Sequence, residues 1–209
     1  MTTDDESEAP SDRTRVRRKA DRGRYDASTI HAILDRGMVA HVGFVSDLGV
    51  GVLPMAYGRV DDQLYLHGAT GNHMLRALAG SDVCVTVTLV DALVLSRSAF
   101  HHSMNYRSAV VFGRATLVED HGEKDRGLRA VVDHMMDGRS EQCRPPSVEE
   151  LRATRVIRLP ITEASAKIRT GPPIEEPDDL ELAWWGGEIP IVTSRGTPVP
   201  DRYTAAEAP

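Results

Sequence analysis

Hydrophobic and polar positions along this chain alternate with the period of strands far more often than with the period of helices. One early helix stands out: Ile30, Ile33 and Leu34 share a face, Asp26 stands at the cap position, and Gly37 follows the last turn. The pattern then turns to β. Residues 38–46 (MVAHVGFVS) and 52–60 (VLPMAYGRV) predict two strands around a turn at Asp47–Gly51. After Asp61-Asp62, residues 63–67 (QLYLH) predict a third. Gly68–Gly80 predicts a short helix with Met74, Leu75 and Leu78 on one side. Residues 82–95 and 107–118 are dense in β-branched side chains and predict long strands, the second interrupted at Gly113 by a bulge or bend. A helix is predicted over 123–136, with Leu128, Val131, Val132 and Met135 on one face. A second begins at Ser147 with Glu150 in the capping-box position, and a last strand is predicted over 155–161.

About six strands with short helices, and no βαβ rhythm, predict a mainly β protein: an antiparallel barrel or sandwich. Three regions are expected: a flexible arm over 1–25, a folded body over 26–165 and a C-terminal extension over 166–209. The arm begins acidic and turns basic from Arg13 to Lys19, which suits either a solvated tail or a segment lying over a partner subunit. The extension is Pro-rich and acidic until Trp184-Trp185-Gly186-Gly187, which is expected to anchor it to the body of the protein or to cover a ligand.

Composition narrows the chemistry. With 25 Lys and Arg against 31 Asp and Glu, the formal charge of −6 gives no global attraction to nucleic acid or an anionic membrane. The polar first 25 residues do not resemble a signal peptide, and no window is apolar enough to span a bilayer, so a cytoplasmic protein is expected. Cys84, read as a small buried hydrophobe, and Cys143 form neither a disulfide framework nor a metal spacing. No HExxH, G-x-S-x-G or P-loop pattern occurs.

Two polar loops are the candidate binding segments. The first, His67 to His73, leaves a strand and enters a helix; its glycines allow close backbone approach, and Thr70 and Asn72 suit an anion such as phosphate. From this stretch alone an ordinary strand-to-helix loop is the better account. The second, Ser96 to Ser108, holds Arg97, His101, His102, Asn105 and Arg107, more donors than a hairpin turn requires. Its arginines suit a phosphate, and its Ser and Asn side chains suit the polar edge of a heterocycle.

These residues also carry a resemblance. VLPMAYGR (52–59), LYLHGATGNHMLRALA (64–79), the run from Val83 to Ala115 containing FHHSMNYRS, EKDRGLRAVVDHM (123–135), SAKIRTGPP (165–173) and WWGGEIP (184–190) resemble the flavin-nucleotide-binding branch of the pyridoxamine 5'-phosphate oxidase-like superfamily, over about residues 15–190. The resemblance implies a split β-barrel of Greek-key type with short flanking helices. It further implies a homodimer holding FMN noncovalently in a cleft shared by both subunits. Carried across, His67, Thr70, Asn72 and His73 fall near the flavin phosphate, although His73 stands where Lys or Arg is usual. Arg107 and Ser108 fall where an Arg and a polar neighbour approach FMN; Met55 and Ala56 fall on the strand lining the cleft. The characteristic C-terminal segment of true pyridoxamine phosphate oxidases is missing, so vitamin B6 oxidation is not expected. The function implied is a flavin-dependent oxidoreductase that takes electrons from a reduced nicotinamide and passes them to a small electrophilic acceptor. A noncatalytic FMN-binding or flavin-storage protein is the alternative.

Overall fold

The computed structural model describes residues 8–204; the start of the expected arm, before Glu8, lies outside the described residues. Among the described residues eleven strands and four α-helices follow in chain order: β1 (Gly23–Arg24), α1 (Ala27–Arg36), β2 (Ala40–Ser46), β3 (Gly49–Met55), β4 (Tyr57–Val60), β5 (Gln63–Ala69), α2 (His73–Leu78), β6 (Asp82–Leu95), β7 (Ser103–Arg114), β8 (Thr116–Leu117), α3 (His121–Met135), α4 (Val148–Ala153), β9 (Thr154–Pro160), β10 (Glu163–Arg169) and β11 (Gly187–Pro190). They form two antiparallel sheets, one in the order β1-β10-β7-β6-β2-β3 with β11 also paired to β6, the other β4-β5-β9-β8. This is the split-barrel topology expected from the sequence. No helix among the described residues is long and apolar enough to cross a membrane.

The chain divides into two compact units. One comprises the residues up to Leu89 with Tyr106–Thr170; the other comprises Val90–Asn105 with the chain from Gly171 onward. The first unit holds the main core, in which Leu64, Leu66, Val85, Val111, Ile157 and Leu159 are fully buried. Helix α1 forms as its pattern predicts. The Asp26 carboxylate accepts from the Thr29 amide at 2.8 Å, and Ile30, Ile33 and Leu34 face the core. The helix ends at Gly37, whose N–H donates to Ile33 O, and the position takes glycine because a Cβ there would lie 2.1 Å from Val87 Cγ1.

The structure corrects three predicted strands. The run 52–60 is two strands, because the chain leaves the first sheet after Met55, which pairs with Ala40, and enters the second at Tyr57. The crossing buries Tyr57, whose hydroxyl donates to the carbonyls of Leu34 and Gly37 and so satisfies the end of α1. The run 107–118 likewise breaks at Ala115, where a corner is tied by Ala115 N–H to Ser81 O (2.9 Å) and Gly80 N–H to Ala115 O (2.8 Å). The strand at 155–161 is not the last. In β10, Ala164, Ser165 and Ala166 are all buried, so the alternation that would have revealed the strand is lost.

From Ser11 to Arg24 the arm is attached to the first unit. Arg13 donates to Glu163, Val16 N–H to the Tyr25 hydroxyl, and β1 pairs with β10.

At Gly58 the backbone of β4 meets the backbone of α3 directly. A Cβ on Gly58 would lie 2.4 Å from the Ala130 carbonyl carbon of α3, and backbone cannot step aside as a side chain can. Gly58→Ala is therefore expected to cost about 1–3 kcal/mol or more, as overpacking does, and to shift the midpoint of denaturant unfolding accordingly.

Candidate functional site

Strand β5 separates two environments. Leu64 and Leu66 face the core, while Tyr65 packs on the opposite side with Val118, Val156 and Leu128. His67 follows two residues later in that same alternation and pairs in register with Val156. Helix α3 covers this side. Its Asp120 cap accepts from Glu123 N–H at 2.8 Å, and Glu123 in turn takes hydrogen bonds from the Tyr65 hydroxyl (3.1 Å) and Arg158 (2.8 Å). At its other end His134 meets the Gly37 carbonyl and stacks on Tyr57, with ring centroids 4.5 Å apart.

Beside His67 the helix leaves a cavity of about 370 Å³. Leu128, Val131, Val132 and Met135 form one wall, and Cys143, Pro145 and Pro146 close another. Among the described residues no hydrogen bond reaches the His67 ring, and its Nδ1 is buried without a partner. Burial holds its pKa below the ordinary 6.5, so the imidazole is neutral. Arg129 and Arg144 also line the cavity. Arg129 is paired with Asp125 (3.0 Å) and Glu141, and Arg144 with Glu150 (2.8 Å). The Arg144 hydrogen bonds, with help from the Ser147 amide, lower the Glu150 carboxyl to about 2. The site is thus an apolar slot with one unsatisfied neutral imidazole and guanidinium groups among its lining residues.

The other expected residues are distributed differently. In the first loop, Thr70 N–H donates to Ala153 O (2.9 Å), Asn72 caps α2 by accepting from Leu75 N–H (3.4 Å), and His73 lies 3.2 Å from Asp47. Met55 packs against the main core. Arg107 and Ser108 stand on β7 opposite Ile168 and Lys167, and the Ser108 hydroxyl donates to Lys167 O at 3.4 Å.

Arg97 and Asn105 belong to the second unit. There Glu175 accepts from the Ser96 hydroxyl (2.7 Å), the Arg97 amide (3.0 Å) and the Arg97 guanidinium (3.1 Å), and these bonds, Ser96 first, lower its pKa. The Arg97 guanidinium, expected to meet a phosphate, is thus matched by a carboxylate of its own chain. Asn105 donates to Glu188. Trp184 and Trp185 are 70% and 61% exposed. Gly186 passes close to the Arg97–Glu175 pair, since a Cβ on it would lie 2.7 Å from Arg97 Nη1.

Sequence reasoning placed His67 among the site residues but missed the wall opposite it. The available signal was the apolar face of α3: all four of its members line the cavity, and only Val131 among them is fully buried.

The model of the pyridoxamine 5'-phosphate oxidase family matches residues 26–168. The chain belongs to the pyridoxamine 5'-phosphate oxidase-like split-barrel family. Among solved structures it is similar to a flavocytochrome from Azotobacter vinelandii, at 41% identity over 97% of this chain and 94% of that one, with a TM-score of 0.89. It is also similar to an FAD- and haem-binding protein from Mycobacterium smegmatis, at 34% identity over 90% of this chain and 93% of that one, with a TM-score of 0.84. No curated protein matches the sequence.

A depressed histidine pKa has a definite sign in stability. The unfolded chain binds the proton first, so stability is full above about pH 6.5 and falls as pH drops from there toward the folded-state pKa. His67→Leu is expected to flatten that loss, read as the difference between wild-type and variant unfolding midpoints over about pH 5–8.

Proposed function

We propose that this protein is a homodimeric redox protein that binds a flavin and a haem. The observation that carries this reading is His67, a neutral imidazole with an unsatisfied buried nitrogen on the wall of an apolar cavity of about 370 Å³. Leaving such a nitrogen without a partner costs roughly 1–3 kcal/mol, a cost that a bound metal removes. A neutral imidazole is a common iron ligand, and haem pockets combine such a ligand with apolar walls. Here His67 would hold the iron and Leu128, Val132, Met135 and Pro146 would exclude water from the ring faces. Arg129 and Arg144 also line the cavity, and either could serve a propionate carboxylate only by exchanging its present carboxylate partner, Asp125 or Glu141 for Arg129 and Glu150 for Arg144. The two similar proteins, a flavocytochrome and an FAD- and haem-binding protein, support the same pair of groups. When bound, a flavin supplies two-electron chemistry that haem can pass on in single-electron steps.

FMN is the flavin expected from the sequence; the description of the Mycobacterium smegmatis protein favours FAD. Arg107 and Ser108, fixed on the β7–β10 ladder, are the residues we assign to the flavin, with Arg107 on its phosphate. Held strand positions give up little entropy on binding, and a guanidinium donates two parallel bonds. The outlet is a small electrophilic acceptor. Two donors are chemically competent, a reduced nicotinamide and a protein electron carrier, and the charge of the surface beside Ser108 favours the second. Noncatalytic flavin storage is the competing reading, and it leaves the His67 cavity without a role.

A second copy is assigned to the strand pair β2–β3. Val45 and Val50 face each other across it, and with Val52 they are 64%, 83% and 60% exposed. Strand β3 also ends its sheet, and a long apolar edge strand invites pairing with another chain.

Reconstitution with haem is expected to give a Soret band that His67→Ala abolishes while flavin binding survives. Retention of the band in His67→Ala overturns the assignment. Arg107→Ala is expected to weaken flavin binding roughly 30- to 150-fold, the loss of about 2–3 kcal/mol in one charge-assisted bond, against less than about tenfold for His73→Ala; fluorescence titration measures both. Val50→Asp with Val52→Asp is expected to convert the dimer to a monomer in light scattering.

A further inference from the structure

Between Arg13 and Arg24 the chain carries seven Lys or Arg residues against one carboxylate, Asp21, although the whole protein has a formal charge of −6. This segment is pinned to the first unit. Gly23 and Arg24 pair with Lys167 and Ala166 of β10, the Lys167 ammonium donates to Arg18 O at 3.0 Å, and Val16 N–H donates to the Tyr25 hydroxyl at 2.9 Å. Arg13 is spent on Glu163, and Asp12 lies 2.8 Å from Arg17 and 3.9 Å from Arg15. Arg18, Lys19 and Arg22 make no ion pair among the described residues, and Arg18 and Lys19 are exposed. Lys19 sits in the left-handed region at φ 56°. The ladder and the tyrosine thus hold a ridge of uncompensated positive charge in one place.

Its position gives that charge a use. Gly23 pairs with Lys167, and Lys167 pairs with Ser108, so the three lie in one row across β1, β10 and β7. At about 4.8 Å per strand spacing, the ridge begins roughly 10 Å from Ser108.

We propose that this ridge docks a small acidic electron-transfer protein that reduces the bound cofactor. The proposal rests on the assignment of the flavin to Arg107 and Ser108. Electron-transfer encounters are small interfaces steered by complementary charge, which a ridge of this extent suits. An extended nucleic acid or an anionic bilayer would also meet the rest of an acidic molecule and be repelled by it. Each encounter passes one electron from the reduced centre of the carrier, which is oxidised. Two encounters, with protons taken up from water, supply the two electrons of full flavin reduction.

The test uses a reduced plant-type [2Fe–2S] ferredoxin as the probe, mixed anaerobically with the flavin-loaded protein in a stopped-flow instrument. The second-order rate constant of reduction is expected to fall at least about tenfold between about 20 and about 300 mM salt, and by about tenfold at low salt in Arg18→Glu with Arg22→Glu. Reduction of the same variant by dithionite should stay within about twofold of the parent. Equal ferredoxin rates in variant and parent, or a rate insensitive to salt, overturn the proposal.

Calorimetric titration of the cofactor-free protein with oxidised ferredoxin separates docking from the flavin assignment. Binding that the charge reversal abolishes supports the ridge even if no flavin binds at Arg107; binding that survives it overturns the ridge. Arg18→Gln with Arg22→Gln serves if the reversal impairs folding. Tighter binding of a labelled DNA duplex or of anionic vesicles than of ferredoxin also overturns the proposal.

Discussion

Helix α3 comes down directly onto the backbone of β4, because Gly58 leaves its path open and nothing but main chain lies between them. Gly127 repeats the arrangement from the helix side, where a Cβ would lie 2.6 Å from Tyr65 Cδ1. Two bare positions thus set the depth and tilt of the helix. The Tyr65–Glu123–Arg158 network anchors its first turns, and the His134 contact with the Gly37 carbonyl anchors its last. The cavity beside His67 follows from this seating. The helix is held close where the glycines are, and its apolar face runs on past them with only part of it covered.

The same close fit explains why His67 stays unsatisfied. A polar side chain at the end of a strand normally finds a carbonyl or water. Here much of the wall beside it comes from the apolar side of α3 and from Pro145 and Pro146, which lack amide donors. Burial keeps the ring neutral, and among the described residues no group takes its Nδ1. An imidazole in that state is chemically ready for a metal, whereas one paired with a carboxylate would be charged and engaged.

The two ends of the first sheet are treated in opposite ways. At β10 the pinned arm supplies a short extra strand and covers the edge with charge. At β3 the edge is left open, apolar and exposed. The two edges of one sheet thus differ in character, charged at β1 and apolar at β3. In the second unit, Glu175 performs the corresponding local task by collecting three donors from Ser96 and Arg97.

Periodicity and capping chemistry were enough to read α1, α3, α4 and the long strands from the sequence, because each is decided by which residues share a face and by local donors such as Asp26 and Ser147. The resemblance carried by the loop sequences was enough for the family, and it included His67 among the site residues. The breaks at Ala56 and Ala115 were not legible, since an apolar run looks the same whether it stays in one sheet or crosses to another. Nor were the partners of Arg97 and Asn105, because Glu175 and Glu188 lie more than 75 residues along the chain. The cavity is of the same kind. The sequence determined that Leu128, Val131, Val132 and Met135 share a helix face, but whether that face is buried in a core or left lining a slot depends on how closely α3 approaches β4, and only the tertiary packing around Gly58 and Gly127 decides that distance.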